Sequence, residues 1–277
     1  MTPVLSSDGE RARGYYLSVD GVAQSHIDLD DPTHLEFEYM RWLGHLVDAL
    51  APSGEPLRVV HLGAGALTLA RYVAATRPGS RQRAVDADDT IIDAMRDSAR
   101  LPRGVRVPVQ IADAREAIGR MRPGSADLVV LDVFDGARTP AHLTSVEMVH
   151  LLRRLLAPDG VVAVNVADGP AQRCSGGGRS LAHARRQVAT YGSVFGELAV
   201  VAEAGVWRGR RFGNLVLVAS DRRLPTARLV RRCAGDPRPA RVVGTDEARA
   251  FAVGAAVVTD DDATDSPALP REIFEPL

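Results

Sequence analysis

From residue 57 to about residue 220 the chain alternates short apolar runs with stretches of helical spacing. Strand-like runs occupy 57–62, 82–86, 105–111, 126–132, 160–166, 197–203 and 213–219. Between them, apolar residues recur at helical intervals over 66–77, 89–99, 114–121, 145–156 and 179–194. Strand–helix alternation with β-branched runs predicts a doubly wound α/β fold, a mostly parallel sheet covered on both faces. The last two of the seven strands leave no room for a helix between them, so they are expected to pair antiparallel.

The flanks read differently. Tyr15–Val19 and Ala23–Ile27 flank Asp20-Gly21, a turn signal that predicts a small N-terminal β-hairpin over 14–29. Leu35, Tyr39, Trp42, Leu43, Leu46 and Leu50 then fall at helical spacing ahead of the breaker Pro52-Ser53-Gly54. Residues 221–250 are rich in Arg and Pro and read as a peripheral appendage. The organisation expected is a hairpin and helix over 1–50, a Rossmann-like domain over 51–222 and a C-terminal appendage over 223–277.

Candidate chemistry gathers at the C-terminal ends of the strands, where open α/β sheets bind ligands. Gly63-Ala64-Gly65 ends the first strand and opens a helix; glycines there allow a nucleotide close to the backbone. Asp86 ends the second strand, placed to accept ribose hydroxyls, with Asp88 the better cap for the helix that follows. Asp113-Ala114 follows the third strand and offers a carboxylate to an adenine amino group. After the fourth comes Asp132-Val133-Phe134-Asp135-Gly136, two carboxylates three residues apart that can accept protons or hold a cationic amine. A Gly loop followed by carboxylates after successive strands fits an adenosyl group.

Several other features read as structural. His142, just past the Asp pair, could line the pocket but reads rather as a hydrogen-bonded loop histidine, and Trp42 and Trp207 read as core or rim aromatics. The run Thr259–Asp262 reads as a solvated turn, with no Glu at calcium-loop spacing. Residues 168–178 form a Gly-rich loop, either a solvated connection or a lid over the sheet edge. Cys174 and Cys233 match no metal spacing and read as free thiols.

In order along the chain, Asp20-Gly21-Val22-x-Gln24, Glu36-Phe37-x-Tyr39, Gly63-x-Gly65, Val85-Asp86-x-Asp88, Asp113-Ala114 and Asp132-x-x-Asp135 resemble the spermidine synthase (polyamine aminopropyltransferase) family. The resemblance covers about residues 15–220. It implies the seven-stranded, S-adenosylmethionine-dependent methyltransferase-like Rossmann fold, and transfer of an aminopropyl group from decarboxylated S-adenosylmethionine to a polyamine such as putrescine. It further implies that Gln24 and Asp86 hold the nucleoside side and Asp113 the adenine. Asp132, as general base, and Tyr39 would face the attacking amine, with Asp135 a second contact to it. The family also suggests a homodimer, for which the hairpin offers an edge.

The chain departs from the family where the transferred amine is held. Ala66 stands where the family's glycine loop carries Asp, Met40 replaces the polar residue after the Tyr, and Arg41 replaces the following Glu. The family's Asp-Ser-x-Asp-Pro reads Asp132-Val133-Phe134-Asp135-Gly136, and its aromatic acceptor motif is not evident in Arg210–Asn214. Two alternatives follow. One is a small-molecule methyltransferase using intact S-adenosylmethionine, whose carboxylate Arg41 would suit; the other is a catalytically silent adenosyl-binding homologue. Either donor would be a co-substrate, with no tightly bound cofactor and no metal.

Composition narrows the class. The 277 residues are 45% hydrophobic and 25% charged with a net charge of −1, so no electrostatic case for nucleic acid exists. Lysine is absent, and every fixed side-chain cation is Arg. The first residues lack a basic stretch followed by an apolar one, and no apolar run reaches the roughly 20 residues of a membrane helix. A cytoplasmic enzyme acting on a small amine, without membrane or nucleic-acid partners, is the expectation.

Overall fold

The computed structural model describes residues 3–19, 21–171 and 179–268. At the N-terminus, β1 (Pro3–Ser7), β2 (Gly14–Val19) and β3 (Val22–Asp28) form an antiparallel sheet in that order. The tight turn between β2 and β3 rests on Gly21, whose φ of +79° is open to glycine at little cost. Asp20 lies outside the described residues. Helix α1 (Glu38–Leu50) follows, burying Trp42, Leu43, Leu46 and Val47 along one face.

The main layer then runs β4 (Arg58–Leu62), α2 (Thr68–Thr76), β5 (Arg81–Asp86), α3 (Asp89–Ser98), β6 (Val109–Ile111), α4 (Ala114–Arg120), β7 (Ala126–Leu131), α5 (Val146–Leu155) and β8 (Leu156–Asp168). It continues with α6 (Ala182–Val194), β9 (Glu197–Glu203), α7 (Ala204–Trp207), β10 (Gly213–Ser220), α8 (Thr226–Cys233), β11 (Ala240–Val243) and α9 (Thr245–Ala252). The sheet order is β11-β9-β10-β8-β7-β4-β5-β6. From β8 to β6 all neighbours pair in parallel, and β10 lies antiparallel between β8 and β9.

All seven expected strands are present, and the sheet gains an eighth, β11, antiparallel to β9 at the edge. It comes from the stretch read as an appendage. That stretch contributes to the core on both faces: Leu229 and Cys233 of α8 on one, Val243, Ala248 and Phe251 on the other. A four-residue strand and an eight-residue helix rich in Arg carry too few apolar positions for periodicity to reveal them. The acidic turn is likewise tied down rather than merely solvated. Asp260 takes two hydrogen bonds from Arg115, at 2.7 and 2.6 Å, and one from Ser145.

Residue alternation along the strands sorts the core into two layers. Val60, Leu62, Val129, Leu131, Val162 and Val164 face α4, α5, α6 and α9, while Val59, Leu128, Val130, Val161 and Ala163 face α1, α2 and α8. Two polar residues interrupt the second set, His61 and Asn165. Both lie toward the C-terminal edge. Trp42 is core, and Trp207 stacks on Phe251 at 4.7 Å between ring centroids. No helix among the described residues is long and apolar enough to cross a membrane. Cys233 is a buried free thiol, and Cys174, with the middle of the 168–178 loop, falls outside the described residues.

Candidate active site

Along the C-terminal edge of the parallel strands runs a cleft of about 620 Å³, between that edge, α1 and β3. Gln24, Tyr39, Gly63, Gly65, Asp86, Asp113, Ala114, Asp132 and Asp135 all line it. Nine residues spread over more than a hundred positions of sequence thus share one wall, because each follows a strand end or sits on an element laid across those ends.

The glycine loop is fixed from below. Gly63 has a φ of +90°, and a Cβ there would lie 2.0 Å from the Asp132 carbonyl oxygen. The strand ends of β4 and β7 therefore meet only if residue 63 has no side chain. Gly65, at φ +46°, has room for a Cβ, with nothing nearer than the Ser25 hydroxyl at 3.5 Å. Leu67 also adopts a left-handed conformation, φ +57°, a cost of about 1–2 kcal/mol for a residue with a Cβ. Thr68 holds this turn against β3 by donating to the His26 carbonyl at 2.6 Å and pairing with Ser25 at 3.0 Å. Asp86 braces it from β5, accepting the Ala64 amide at 2.7 Å and the Asp88 amide at 3.0 Å. Each Asp86 oxygen retains a lone pair for a ribose hydroxyl. Asp88 caps α3 through the Thr90 and Ile91 amides.

Asp113 caps α4 with one oxygen, accepting the Glu116 amide at 3.0 Å, and meets His142 Nε2 at 2.7 Å with the other. Partial burial pushes its carboxyl up, but the Glu116 amide and the His142 ring outweigh this and hold it below its ordinary value. His142 is thus a hydrogen-bonded loop histidine that also lines the cleft, holding the Asp113 oxygen that faces it.

Asp132 follows β7 at the centre of the cleft. Its backbone amide donates to the Leu62 carbonyl at 2.8 Å, and Asn165 Nδ2 donates to its Oδ1 at 2.8 Å. The Tyr39 hydroxyl interacts with the same carboxylate. Burial raises the Asp132 carboxyl above its ordinary value despite the stabilising Asn165 and Tyr39 contacts. Burial, with the Asp132 charge beside it, raises the Tyr39 hydroxyl well above its own, so it stays a proton donor. Asp135 is exposed at the rim, in a turn closed by its backbone pairing with Arg138.

Sequence reasoning missed Asn165 and His61. The available signal was their placement as lone polar residues within the apolar runs Val161–Ala167 and Val59–Leu62. The departures from the family pattern also find their places. Ala66 is fully buried against Leu17, Ile27, Met95 and Ala99 and does not line the cleft. Met40 lines it as an apolar wall. Arg41 turns away, donating to the Leu35 and Glu36 carbonyls, which removes the motive for assigning it to a donor carboxylate. Among the described residues six carboxylates line the cleft, those of Asp86, Asp88, Asp89, Asp113, Asp132 and Asp135, and no arginine does. Among the described residues no cluster of His, Cys, Asp and Glu is placed to hold a metal ion.

No family model matches the chain. A probable spermidine synthase from Corynebacterium glutamicum, known as a crystal structure, superposes with a TM-score of 0.84 at 33% identity, covering 97% of this chain and 95% of that one. The polyamine aminopropyltransferase of Chromobacterium violaceum is 29% identical over 166 residues, 60% of this chain and 62% of the relative. The alignment thus spans less than two thirds of that curated relative. A spermidine synthase solved with the transition-state analogue AdoDATO shares the fold, with a TM-score of 0.57 at 16% identity over 90% of this chain and 76% of that one. The architecture is the methyltransferase-like fold that spermidine synthases adopt. With a relative matched along nearly its whole length, the chain belongs to the spermidine synthase-like family of polyamine aminopropyltransferases.

Proposed function

We propose that the protein transfers an aminopropyl group from decarboxylated S-adenosylmethionine to a primary amine, with Asp132 as general base. The charge of the cleft carries this reading: among the described residues, six carboxylates and no arginine suit a donor and an acceptor that are both cations. In the donor, the nucleoside lies over Gly63 and Gly65, with Gln24 and Asp86 on the ribose side and Asp113 and Ala114 toward the base.

A primary amine is protonated at pH 7, and freeing its lone pair costs about 4–5 kcal/mol. Asp132, raised in basicity by burial and oriented by Asn165, takes that proton as the nitrogen attacks. The N–C bond forms as the C–S bond breaks, the electron pair passes to sulfur, and the sulfonium leaves as a neutral thioether. Tyr39 and Asp135 keep the acceptor in line, and no oxyanion needs stabilising. A cytoplasmic homodimer belongs to the same reading; light scattering tests its stoichiometry.

Isothermal titration with S-adenosylmethionine, its decarboxylated form and methylthioadenosine tests the donor side. Tighter binding of the decarboxylated form than of the intact one is expected. Preference for the intact donor would replace this reading with methyl transfer.

A further inference from the structure

Past Asp132 the cleft continues beneath α1. Val130, two residues before Asp132 and on the same face of β7, pairs with His61 of β4, so the imidazole lies about 7 Å deeper along the strands than the base. It lines the cleft together with Tyr39, Met40, Leu43, Leu69 and Val130, all buried. Of the six cleft carboxylates, only Asp132 stands on this face of β4 and β7. The other five follow β5 or β6, or lie in the rim turn.

The hydrogen bonds around His61 fix its protonation. Gln82 donates Nε2 to the Ala70 carbonyl at 3.0 Å, which turns its Oε1 toward His61 Nε2 at 2.9 Å. An amide oxygen only accepts, so the proton sits on His61 Nε2 and the Nδ1 lone pair is the ring's remaining polar group. Burial pushes the imidazole down to about 4, leaving it uncharged at neutral pH. Among the described residues a second ammonium in this chamber would find no counter-charge beyond the base itself to offset its desolvation, whereas an alkyl chain would pack against its walls.

We propose that the amine acceptor has an uncharged far end bearing a hydroxyl-type donor, its alkyl chain lying beneath α1 and its hydroxyl meeting His61 Nδ1. This rests on the aminopropyl-transfer reading and departs from the putrescine that the family resemblance implies. The amine nitrogen bonds to the donor's methylene carbon as the C–S bond breaks, and the amine proton goes to Asp132. The products are an N-(3-aminopropyl) amino alcohol, methylthioadenosine and a proton.

The test is turnover by the full chain with decarboxylated S-adenosylmethionine and three acceptors of equal chain length: 4-amino-1-butanol, butylamine and 1,4-diaminobutane. Titration with methylthioadenosine runs in parallel. The amino alcohol is expected to exceed butylamine in kcat/KM by about tenfold, the worth of one hydrogen bond, and the diamine to be the poorest. In His61→Val the ratio of amino alcohol to butylamine falls toward one; His61→Gln, which keeps an acceptor, retains a ratio above one. A diamine preferred over both, or no turnover of the amino alcohol while methylthioadenosine binds, would overturn the proposal. Failure of methylthioadenosine to bind would overturn the aminopropyl reading, and the proposal with it.

Discussion

Asn165 Nδ2 sits 2.8 Å from Asp132 Oδ1, an amide on one strand fixing a carboxylate at the end of the next. The Tyr39 hydroxyl adds a second contact to the same carboxylate. Asn165→Ala removes the restraint without touching substrate. We expect kcat to fall about 10- to 100-fold with little change in donor binding, since orientation rather than binding is lost. Asn165→Asp places two carboxylates at hydrogen-bond distance, and their repulsion raises the basic group further. The acid limb of the pH–rate profile should then move to higher pH; an unmoved limb would leave Asn165 a packing residue.

Asp132→Asn should lower turnover about 10²- to 10⁴-fold, the usual contribution of a positioned base. It should also raise thermal stability at pH 7. Because burial raises the native Asp132 carboxyl, the wild type carries a penalty above that native value and none below the unfolded value. The stability gap between variant and wild type should therefore close as pH falls toward the ordinary carboxylate range. Melting curves over a pH series check the sign.

Ala66 marks where the family's glycine loop carries an acid, yet in this fold the position is full. Its methyl is buried against Leu17, Ile27, Met95 and Ala99. Ala66→Asp should cost about 3 kcal/mol or more by burying an unpaired carboxylate. It should not tighten binding of decarboxylated S-adenosylmethionine, and denaturant melts with donor titration read both effects.

The two loop glycines should differ. Gly63→Ala drives a Cβ into the Asp132 backbone at a φ of +90° and should cost about 3 kcal/mol or more, disturbing the base as well. Gly65→Ala meets only the Ser25 side chain, at ordinary van der Waals distance, at φ +46° and should cost about 1–2 kcal/mol. Equal losses in chemical denaturation would contradict this account of the loop.

His61 predicts an acid-side weakness. Its native value of about 4 lies below the ordinary 6.5, so the unfolded chain binds the extra proton between those values. Its neutral form contributes fully above about pH 6.5, and on the order of 3 kcal/mol is lost as pH falls toward 4. His61→Val should flatten the stability profile across that window.

The seven strands at the centre of the sheet were legible because each is an apolar run of ordinary length bounded by turn residues. Gly63, Asp86, Asp113 and Asp132 were legible as candidates because function at a strand end leaves a polar residue just past an apolar run. β11 was not, since four residues at an edge carry almost no periodic signal and Val243 is buried only by what packs on it. The sequence by itself also determined the composition of the cleft's charge, because a chain without lysine has only arginine to set beside its acids. Only the tertiary structure decided where those charges go. It turned Arg41 onto two carbonyls, filled the Ala66 position with core, set Asn165 on Asp132, and turned His61 toward Gln82. Apart from the Arg41 contacts, made only five and six positions back, those outcomes depend on strand register and helix placement, which join residues tens of positions apart, and no local pattern encodes such distances.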